Sequence, residues 1–265
     1  METLGLPHKK SRIPSLFRVT FALIMREMAT SYGKSYLGYV WAVLEPLGAI
    51  VILSLVFSVA LKAPALGDSF PLFYASGYVP FVAYNSMQNK ISAALRENTQ
   101  LLFYPRVTYL DAILALFILT FVTQLLVAVI VFSVIFLIEG SSQRIDIINI
   151  LEAMVVASYL GLGVGTLNCV IIHLSPSWRQ MCSILTRPLF LISCIFYMYD
   201  TLPEWVQDIL WYNPLVHVVG LARTGFYSVY DGDYIFVPFP ILIGSVTLFL
   251  GFALLRRFAR DLMNA

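Results

Sequence analysis

The sequence predicts an all-α membrane protein with six transmembrane helices, an N-terminal interfacial amphipathic helix, and re-entrant periplasmic helices between the fifth and sixth spans. Hydrophobic residues make up 59% of the 265 residues and charged residues only 12%, whereas soluble chains carry roughly 25% charge. The mean hydropathy is +0.82. A fold in water cannot bury that much apolar surface, so lipid must be much of the solvent. A net charge of only +2 also argues against nucleic-acid binding.

Six apolar runs are long enough to cross a bilayer, which takes about 20 residues at a rise of about 1.5 Å per residue. The second and third runs carry no charge, and the fifth is interrupted at Arg187-Pro188. We therefore expect one transmembrane domain over residues 1–265, with spans at 40–61, 70–89, 112–138, 153–173, 181–199 and 234–255.

The basic residues between the runs predict the orientation. With the N-terminus in the cytoplasm, 14 of the 17 Lys and Arg residues lie inside, and only Lys62, Arg144 and Arg223 lie outside. Positive charge is retained on the cytoplasmic side of a membrane protein. The sequence thus predicts a multi-pass membrane protein with both termini in the cytoplasm.

The segment before the first span, residues 14–34, predicts an amphipathic helix. Phe17, Phe21, Ile24 and Met28 share one face at helical spacing, and basic side chains lie away from that face. Such a helix can lie in the headgroup plane with its cations toward phosphates. The alternative is an additional buried helix or one that contacts a partner.

Two loops have unusual composition. The cytoplasmic loop 90–110 is polar but contains four apolar and aromatic residues at 101–104 before Pro105, a pattern typical of a partner or membrane contact. The outer segment 200–233 is acidic, with two apolar pieces hinged at Asn213-Pro214. Each piece is too short to span, which favours helices that enter the membrane and return to the same side.

Enzyme and metal motifs are missing from the sequence. Gly33-Lys34-Ser35 resembles the end of a phosphate-binding loop, but Met28 occupies the position where that loop needs glycine. The three cysteines have no metal-ligand spacing, and His173 is interpreted as a structural residue. We therefore expect no catalytic residue, no metal and no cofactor on this chain.

The second span carries an aromatic face. At about 100° per residue, five rings fall within about 120°, with Gln88 on the same side. They could line a conduit and stack on sugar rings, or they could be interfacial and packing residues. The rings belong to Phe70, Tyr74, Tyr78, Phe81 and Tyr84.

Two further features of the spans have structural interpretations. Glu45, near the cytoplasmic end of the first span, is equally consistent with an ion pair and with a substrate role. Gly161, Gly163 and Gly165 form a small-residue stripe in the fourth span, which predicts close helix packing.

Four stretches together resemble the membrane subunit of ABC transporters that export polysaccharide. The order of the stretches and the six-span spacing carry the resemblance, which extends over nearly the whole chain and is strongest to the capsule-export permeases of Gram-negative bacteria (the ABC type-2 exporter family). The stretches are residues 35–41 with Glu45-Pro46, residues 98–111 with Tyr104-Pro105-Arg106-Val107, Trp178-Arg179, and residues 211–217 followed by Arg223.

The resemblance implies an assembly. Two copies would pair in the bacterial inner membrane around a channel, each with a separate ATPase subunit that holds ATP and Mg²⁺. The substrate would be a lipid-linked capsular polysaccharide or O-antigen, passed to periplasmic and outer-membrane export proteins. Contact with the ATPase is implied for a loop set of Arg96, Glu97, Leu101, Leu102, Phe103, Tyr104, Pro105 and Arg106.

The resemblance also implies roles for channel and gate residues. Tyr39, Trp41 and Glu45 would join Tyr74, Tyr78, Phe81, Tyr84 and Gln88 along the substrate channel. The outer gate would lie in the re-entrant helices, with Trp205, Trp211, Tyr212, Asn213, Pro214, His217 and Arg223.

Other functions stay open at this point. The same architecture could export teichoic acid or a small lipophilic molecule. A membrane-embedded lipid-modifying enzyme would need polar residues converging at one depth, and the uncharged second, third and sixth spans weigh against it. A secondary transporter would normally show inverted repeats and acidic residues in the spans, and the sequence shows neither.

Overall fold

The computed structural model describes residues 12–31, 38–97, 108–139 and 145–264, with side chains at 19–29, 40–97, 108–139 and 145–258. These residues form helices and turns without a strand, so the all-α class is confirmed. The helices are α1 Arg12–Ser31, α2 Gly38–Ala60, α3 Phe70–Ser92, α4 Ala94–Glu97, α5 Tyr109–Glu139, α6 Ile147–Leu174, α7 Trp178–Leu191, α8 Glu204–Trp211, α9 Pro214–Phe226 and α10 Pro238–Asn264, and a 3-10 turn spans Tyr199–Thr201.

Four of the described helices are long and apolar enough to cross a membrane. They cover much of the first, third, fourth and sixth predicted runs, and correspond to Val40–Ala60, Tyr109–Glu139, Ile147–Leu174 and Pro238–Phe258. Helix α3 covers the second run and has 23 residues. Because α3 packs against α2, α5, α6 and α9, it is the central helix of the bundle.

The fifth predicted run, 181–199, differs from the structure. Helix α7 begins at Trp178, continues through Arg187-Pro188 and ends at Leu191, after 14 residues. That length is about 21 Å, which is shorter than the hydrocarbon core. Residues 192–198 are turns, and Cys194 adopts φ 57°, a left-handed conformation that reverses the chain. A single helix therefore does not cover this run.

Helix α1, in the predicted leader, is buried on one side and exposed on the other. Thr20, Leu23 and Glu27 are buried, and the helix packs against α5. Phe21 and Met28, from the predicted apolar face, are exposed. The helix thus contacts the bundle on one side and presents an apolar surface on the other.

The glycine stripe of α6 lies where neighbouring backbones come closest. A Cβ atom on Gly161 would lie 2.7 Å from the carbonyl oxygen of Tyr84 on α3, and one on Gly165 would lie 2.9 Å from that of Gln88. A Cβ atom on Gly163 would fall on the Gly244 carbonyl of α10 and 2.6 Å from Thr247 Oγ1. The prediction of close helix packing is confirmed.

Candidate functional site

A cavity of about 1060 Å³ lies among α2, α3, α5 and α7. It combines aromatic rings with hydroxyl, amide and charged groups. This mixture suits a ligand that has apolar faces and polar edges, because rings cover the faces while polar groups bond the edges. The side chains that define this character include Tyr78, Phe81, Gln124, Thr186 and Phe190.

The cavity brings together only part of the predicted channel set. Glu45, Tyr78, Phe81 and Gln88 line it. Helical spacing places Tyr78, Phe81 and Gln88 on the same side of α3, and Glu45 faces them from α2.

Other predicted channel residues lie elsewhere. Tyr74 is buried in an aromatic cluster, with its ring 5.2 Å from the Phe57 ring. Tyr84 is buried beside Phe81, and Trp41 is exposed outside the cavity. The side chain of Tyr39 is outside the described residues.

One face of α7 lines the cavity. The channel residues predicted from the sequence did not include any residue of this helix. Arg179, Cys182, Thr186 and Phe190 face the cavity at three- and four-residue spacing. That spacing was the available signal, but the Arg187-Pro188 pair was interpreted as an interruption. The opposite face is apolar and exposed, with Met181, Ile184 and Leu185.

The charges around the cavity are predominantly basic. Lys90, Arg96, Arg179 and Arg187 line it, together with the acidic Glu45 and Glu97. Lys90 Nζ lies 3.7 Å from Glu27 Oε1 of α1, and Arg96 Nη2 lies 3.9 Å from Glu97 Oε1. Arg96 and Glu97 are exposed, and a pair of this kind contributes little stability. Glu27 is buried, so its pairing with Lys90 offsets part of the cost of burying its charge.

Of the predicted ATPase-contact set, the structure describes two residues. Arg96 and Glu97 end helix α4 and also line the cavity. Leu101, Leu102, Phe103, Tyr104, Pro105 and Arg106 lie outside the described residues.

A wall of aromatic rings borders the cavity. The Phe190 ring centroid lies 5.1 Å from that of Phe81 and 5.9 Å from that of Tyr78. It also lies 5.1 Å from the ring of Phe196, in the non-helical segment after α7. These distances are typical of packed aromatic pairs, so the wall is continuous from α3 to the 192–198 segment.

The predicted hinge between the two outer apolar pieces coincides with a helix boundary. Asn213 caps α9, because its Oδ1 accepts the N–H of Leu215 at 3.1 Å, and Pro214 follows at the first helical position. The exposed aromatics of this region are Trp205 and Tyr212. The break therefore has a local cause that the sequence displays.

His217 bridges two parts of this outer region. Its Nδ1 accepts the backbone N–H of Phe236 at 3.1 Å, so its Nε2 must carry the proton that it donates to the Trp211 carbonyl, 2.9 Å away. Burial lowers the pKa of His217 below its ordinary value. The neutral ring holds the end of α8 near the segment that leads into α10.

Arg223, predicted as a gate residue, is fully buried. Its Nη1 and Nη2 each donate a 3.0 Å hydrogen bond, to the carbonyls of Tyr197 and Ile195 respectively. The guanidinium carbon lies 4.4 Å from the ring centroid of Phe73. Arg223 thus contacts the 192–198 segment rather than α8.

Comparison with known proteins identifies the family. A family model described as ABC-2 type transporter matches residues 18–227, from α1 through α9. The chain belongs to the ABC-2 type transporter family. Its resemblance to that family is therefore confirmed, and the chain is a membrane component of a transporter.

Several named proteins are similar to this ABC-2 transporter subunit over most of its length. The polysialic acid transport protein KpsM of Escherichia coli is 31% identical over 238 residues, which cover 89% of this chain and 91% of the relative. The capsule polysaccharide export inner-membrane protein CtrC of Neisseria meningitidis is 26% identical over 257 residues (96% and 97%). BexB of Haemophilus influenzae, with the same description, is 24% identical over 248 residues (92% and 92%).

Proposed function

We propose that this chain is the permease subunit of an ATP-driven exporter that moves lipid-linked capsular polysaccharide, or O-antigen, across the bacterial inner membrane. The observation that carries the proposal is the cavity, which places aromatic rings, hydroxyls, amides and arginines together between apolar helices. The names of the three relatives support the same class of substrate.

The chemistry of the cavity suits a glycan. The partly exposed rings of Tyr78 and Phe190 can stack on the apolar faces of sugars, while Phe81, only 4% exposed, packs against the Phe190 ring. The side chains of Gln124 and Thr186 can bond the sugar hydroxyls. Stacking depends weakly on the identity of the sugar, which suits the passage of a repeating polymer.

The proposed topology has six spans and cytoplasmic termini. Helices α2, α3, α5, α6 and α10 each cross the membrane, and α7 with the 192–198 segment forms the fifth crossing. Helices α8 and α9 enter from the periplasm and return, consistent with their lengths of 8 and 13 residues. The distribution of basic residues supports this orientation.

We propose a homodimer, because α7 leaves an apolar face without cover. Among the described residues nothing buries a residue of α7, and its outward face consists of the apolar Met181, Ile184 and Leu185. A second copy seated on this face would place its own cavity beside the first and enclose a common passage. Periplasmic and outer-membrane export proteins would receive the polymer at the outer end.

Energy would come from two separate ATPase subunits that hold ATP and Mg²⁺ and contact the 90–110 loop. Nucleotide in the partner would then shift the spans between two states as rigid bodies. The double variant Phe103→Ala/Arg106→Ala should lose export while membrane insertion persists, and Arg256→Ala, in the exposed part of α10, is the control. Normal glycan export by the double variant would contradict the assignment of this loop.

Contact between the glycan and the cavity is tested by removing two of the aromatic rings that line it. Replacing both Tyr78 and Phe81 with alanine should slow glycan export about tenfold or more, since each lost ring contact is worth about 0.5–1.5 kcal/mol. Phe249→Ala is the matched control, because Phe249 is an exposed ring on α10. The measurement is polymer appearing outside cells that express the full-length chain. An unchanged rate in the double variant would mean that these rings only pack.

A further inference from the structure

Residues 192–198 form a non-helical segment that follows the cavity-lining end of α7 and is hydrogen-bonded to α9. Ser193, Cys194 and Ile195 have no exposed surface. Cys194 has φ 57°, a conformation that L residues other than glycine seldom adopt. A buried segment with this backbone needs specific contacts to hold its shape.

Helix α9 supplies those contacts with two polar side chains. Arg223 donates 3.0 Å bonds to the carbonyls of Ile195 and Tyr197. Asn213 Nδ2 donates to the carbonyl of Ile192 at 3.1 Å. Carbonyls outside a helix and away from water need such donors, so α9 satisfies three free carbonyls of the segment.

The guanidinium of Arg223 has an unusual environment. Within the described residues it makes no ion pair with a carboxylate, and its Nε has no hydrogen-bond partner. A buried charge without a counter-charge is a poor source of stability. We therefore assign Arg223 a role in fixing the positions of the Ile195 and Tyr197 carbonyls, and not in raising the stability of the fold.

The segment 192–198, which Arg223 bonds, contributes the Phe196 ring to the aromatic wall. The Phe196 ring lies 5.1 Å from the Phe190 ring and 5.9 Å from the Phe57 ring. On α3, a Cβ atom at Gly77 would lie 3.2 Å from the Cα of Ile195, so the segment sits close against that helix. Moving the segment would open the wall, whereas nearly all of α9 is buried against its neighbours.

We propose that residues 192–198 are the barrier that closes the cavity, with Phe196 as its ring, and that Arg223 is the residue that positions this barrier. Helix α9 is then a fixed support, and opening consists of releasing the carbonyls of Ile195 and Tyr197. The inference rests on the proposed function, because a barrier matters only if the cavity belongs to a passage. In this proposal the passage is closed by residues 192–198, and not by the predicted gate helices α8 and α9 that follow them.

The three cysteines of the chain provide the test. Cys182 lines the cavity, Cys194 is buried in the segment, and Cys169 is buried on α6 in an apolar cluster that includes Ile91 and Leu116. In membranes that contain the full-length chain, a maleimide should label Cys182 and leave Cys169 and Cys194 unlabelled, with each site identified by peptide mass spectrometry.

Arg223→Met removes both carbonyl bonds with little change in volume. Labelling of Cys194 should then rise at least about tenfold, because a hydrogen bond to a charged group shifts an opening equilibrium by that factor or more. Labelling of Cys169 should not change. Arg223→Lys, which keeps a charge but lacks the two-pronged geometry, should give a smaller rise.

A leak measurement tests the barrier independently of labelling. Efflux of trapped sucrose from vesicles containing the full-length chain, without nucleotide, should rise several-fold in Phe196→Ala. Phe249→Ala, whose ring is exposed on α10, should match the wild type.

The outcomes separate clearly. Protected Cys194 in both Arg223 variants would overturn the role of Arg223, and an unchanged leak in Phe196→Ala would overturn the barrier. Labelling of Cys169 in Arg223→Met would mean that the variant has lost its fold, and the labelling of Cys194 is then compared in Arg223→Lys instead. If Arg223→Lys also exposes Cys169, the leak of Phe196→Ala decides whether the segment is a barrier. If the wild type exported no glycan, the proposed function would fail while the labelling result stood.

Discussion

Alanine at Gly163 is expected to destabilise the bundle through one close helix contact. Its added methyl would meet the backbone carbonyl of Gly244 and lie 2.6 Å from Thr247 Oγ1. A carbonyl cannot rotate away as a flexible side chain can, so α6 and α10 would have to separate. These two helices share the most extensive contact in the bundle.

The magnitude follows from two opposing effects. Overpacking a well-packed contact costs about 1–3 kcal/mol, and a backbone clash lies at the upper end. The exchange of glycine for alanine in a helix returns about 1 kcal/mol. The free energy of unfolding should therefore fall by about 2 kcal/mol, or roughly thirtyfold in the folded-to-unfolded ratio.

Gly48→Ala is the matched control for this experiment. Among the described residues, no atom outside the local helix backbone lies within 4 Å of a Cβ placed on Gly48, although this glycine also lies in an apolar helix. Only the helix-propensity effect applies there, so that variant should be neutral or more stable by up to about 1 kcal/mol. Unfolding of both variants is measured by SDS titration of the purified chain in mixed micelles. Equal stabilities for Gly163→Ala and Gly48→Ala would refute the packing argument.

Two further predictions concern the outer region. Because burial lowers the folded-state pKa of His217, its contribution to stability is complete above the unfolded value of about 6.5 and is lost as the pH falls below it. The loss of stability between pH 7.5 and 5.5 should be smaller in His217→Gln, and equal slopes would contradict the neutral bridge. Asn213→Ala should cost about 2 kcal/mol through the lost cap and an unpaired carbonyl, and Asn213→Ser, which retains a cap, should cost less. Equal losses in the two variants would show that the cap contributes nothing beyond the bond to the Ile192 carbonyl.

Apolar length predicted much of the helical architecture. The uncharged run at 112–138 lies entirely within α5, because a spanning helix must satisfy every backbone group internally whatever its neighbours are. The end of α7 could not be predicted in this way. Pro188 removes one helical hydrogen bond without ending the helix, and the turn that follows depends on Arg223, 28 residues beyond Ile195.

The cavity was only partly predictable for a related reason. Helical periodicity placed Tyr74 and Tyr78 on one side of α3, but it does not show which residues of other helices each ring contacts. Tyr74 meets Phe57 and Phe196 and is buried, whereas Tyr78 faces the cavity four residues later. Which ring is covered depends on where α7 ends, and no local signal encodes that position.

The central claim is that this chain provides a passage through lipid and takes its energy from a separate subunit. The most direct measurement reconstitutes the purified chain in vesicles, with and without an ATPase subunit co-purified from the native host, and follows ATP hydrolysis and the movement of lipid-linked polysaccharide together. The account predicts neither activity for the chain alone and both activities for the complex. Hydrolysis of nucleotide by the chain alone, or polymer movement without the ATPase, would contradict it.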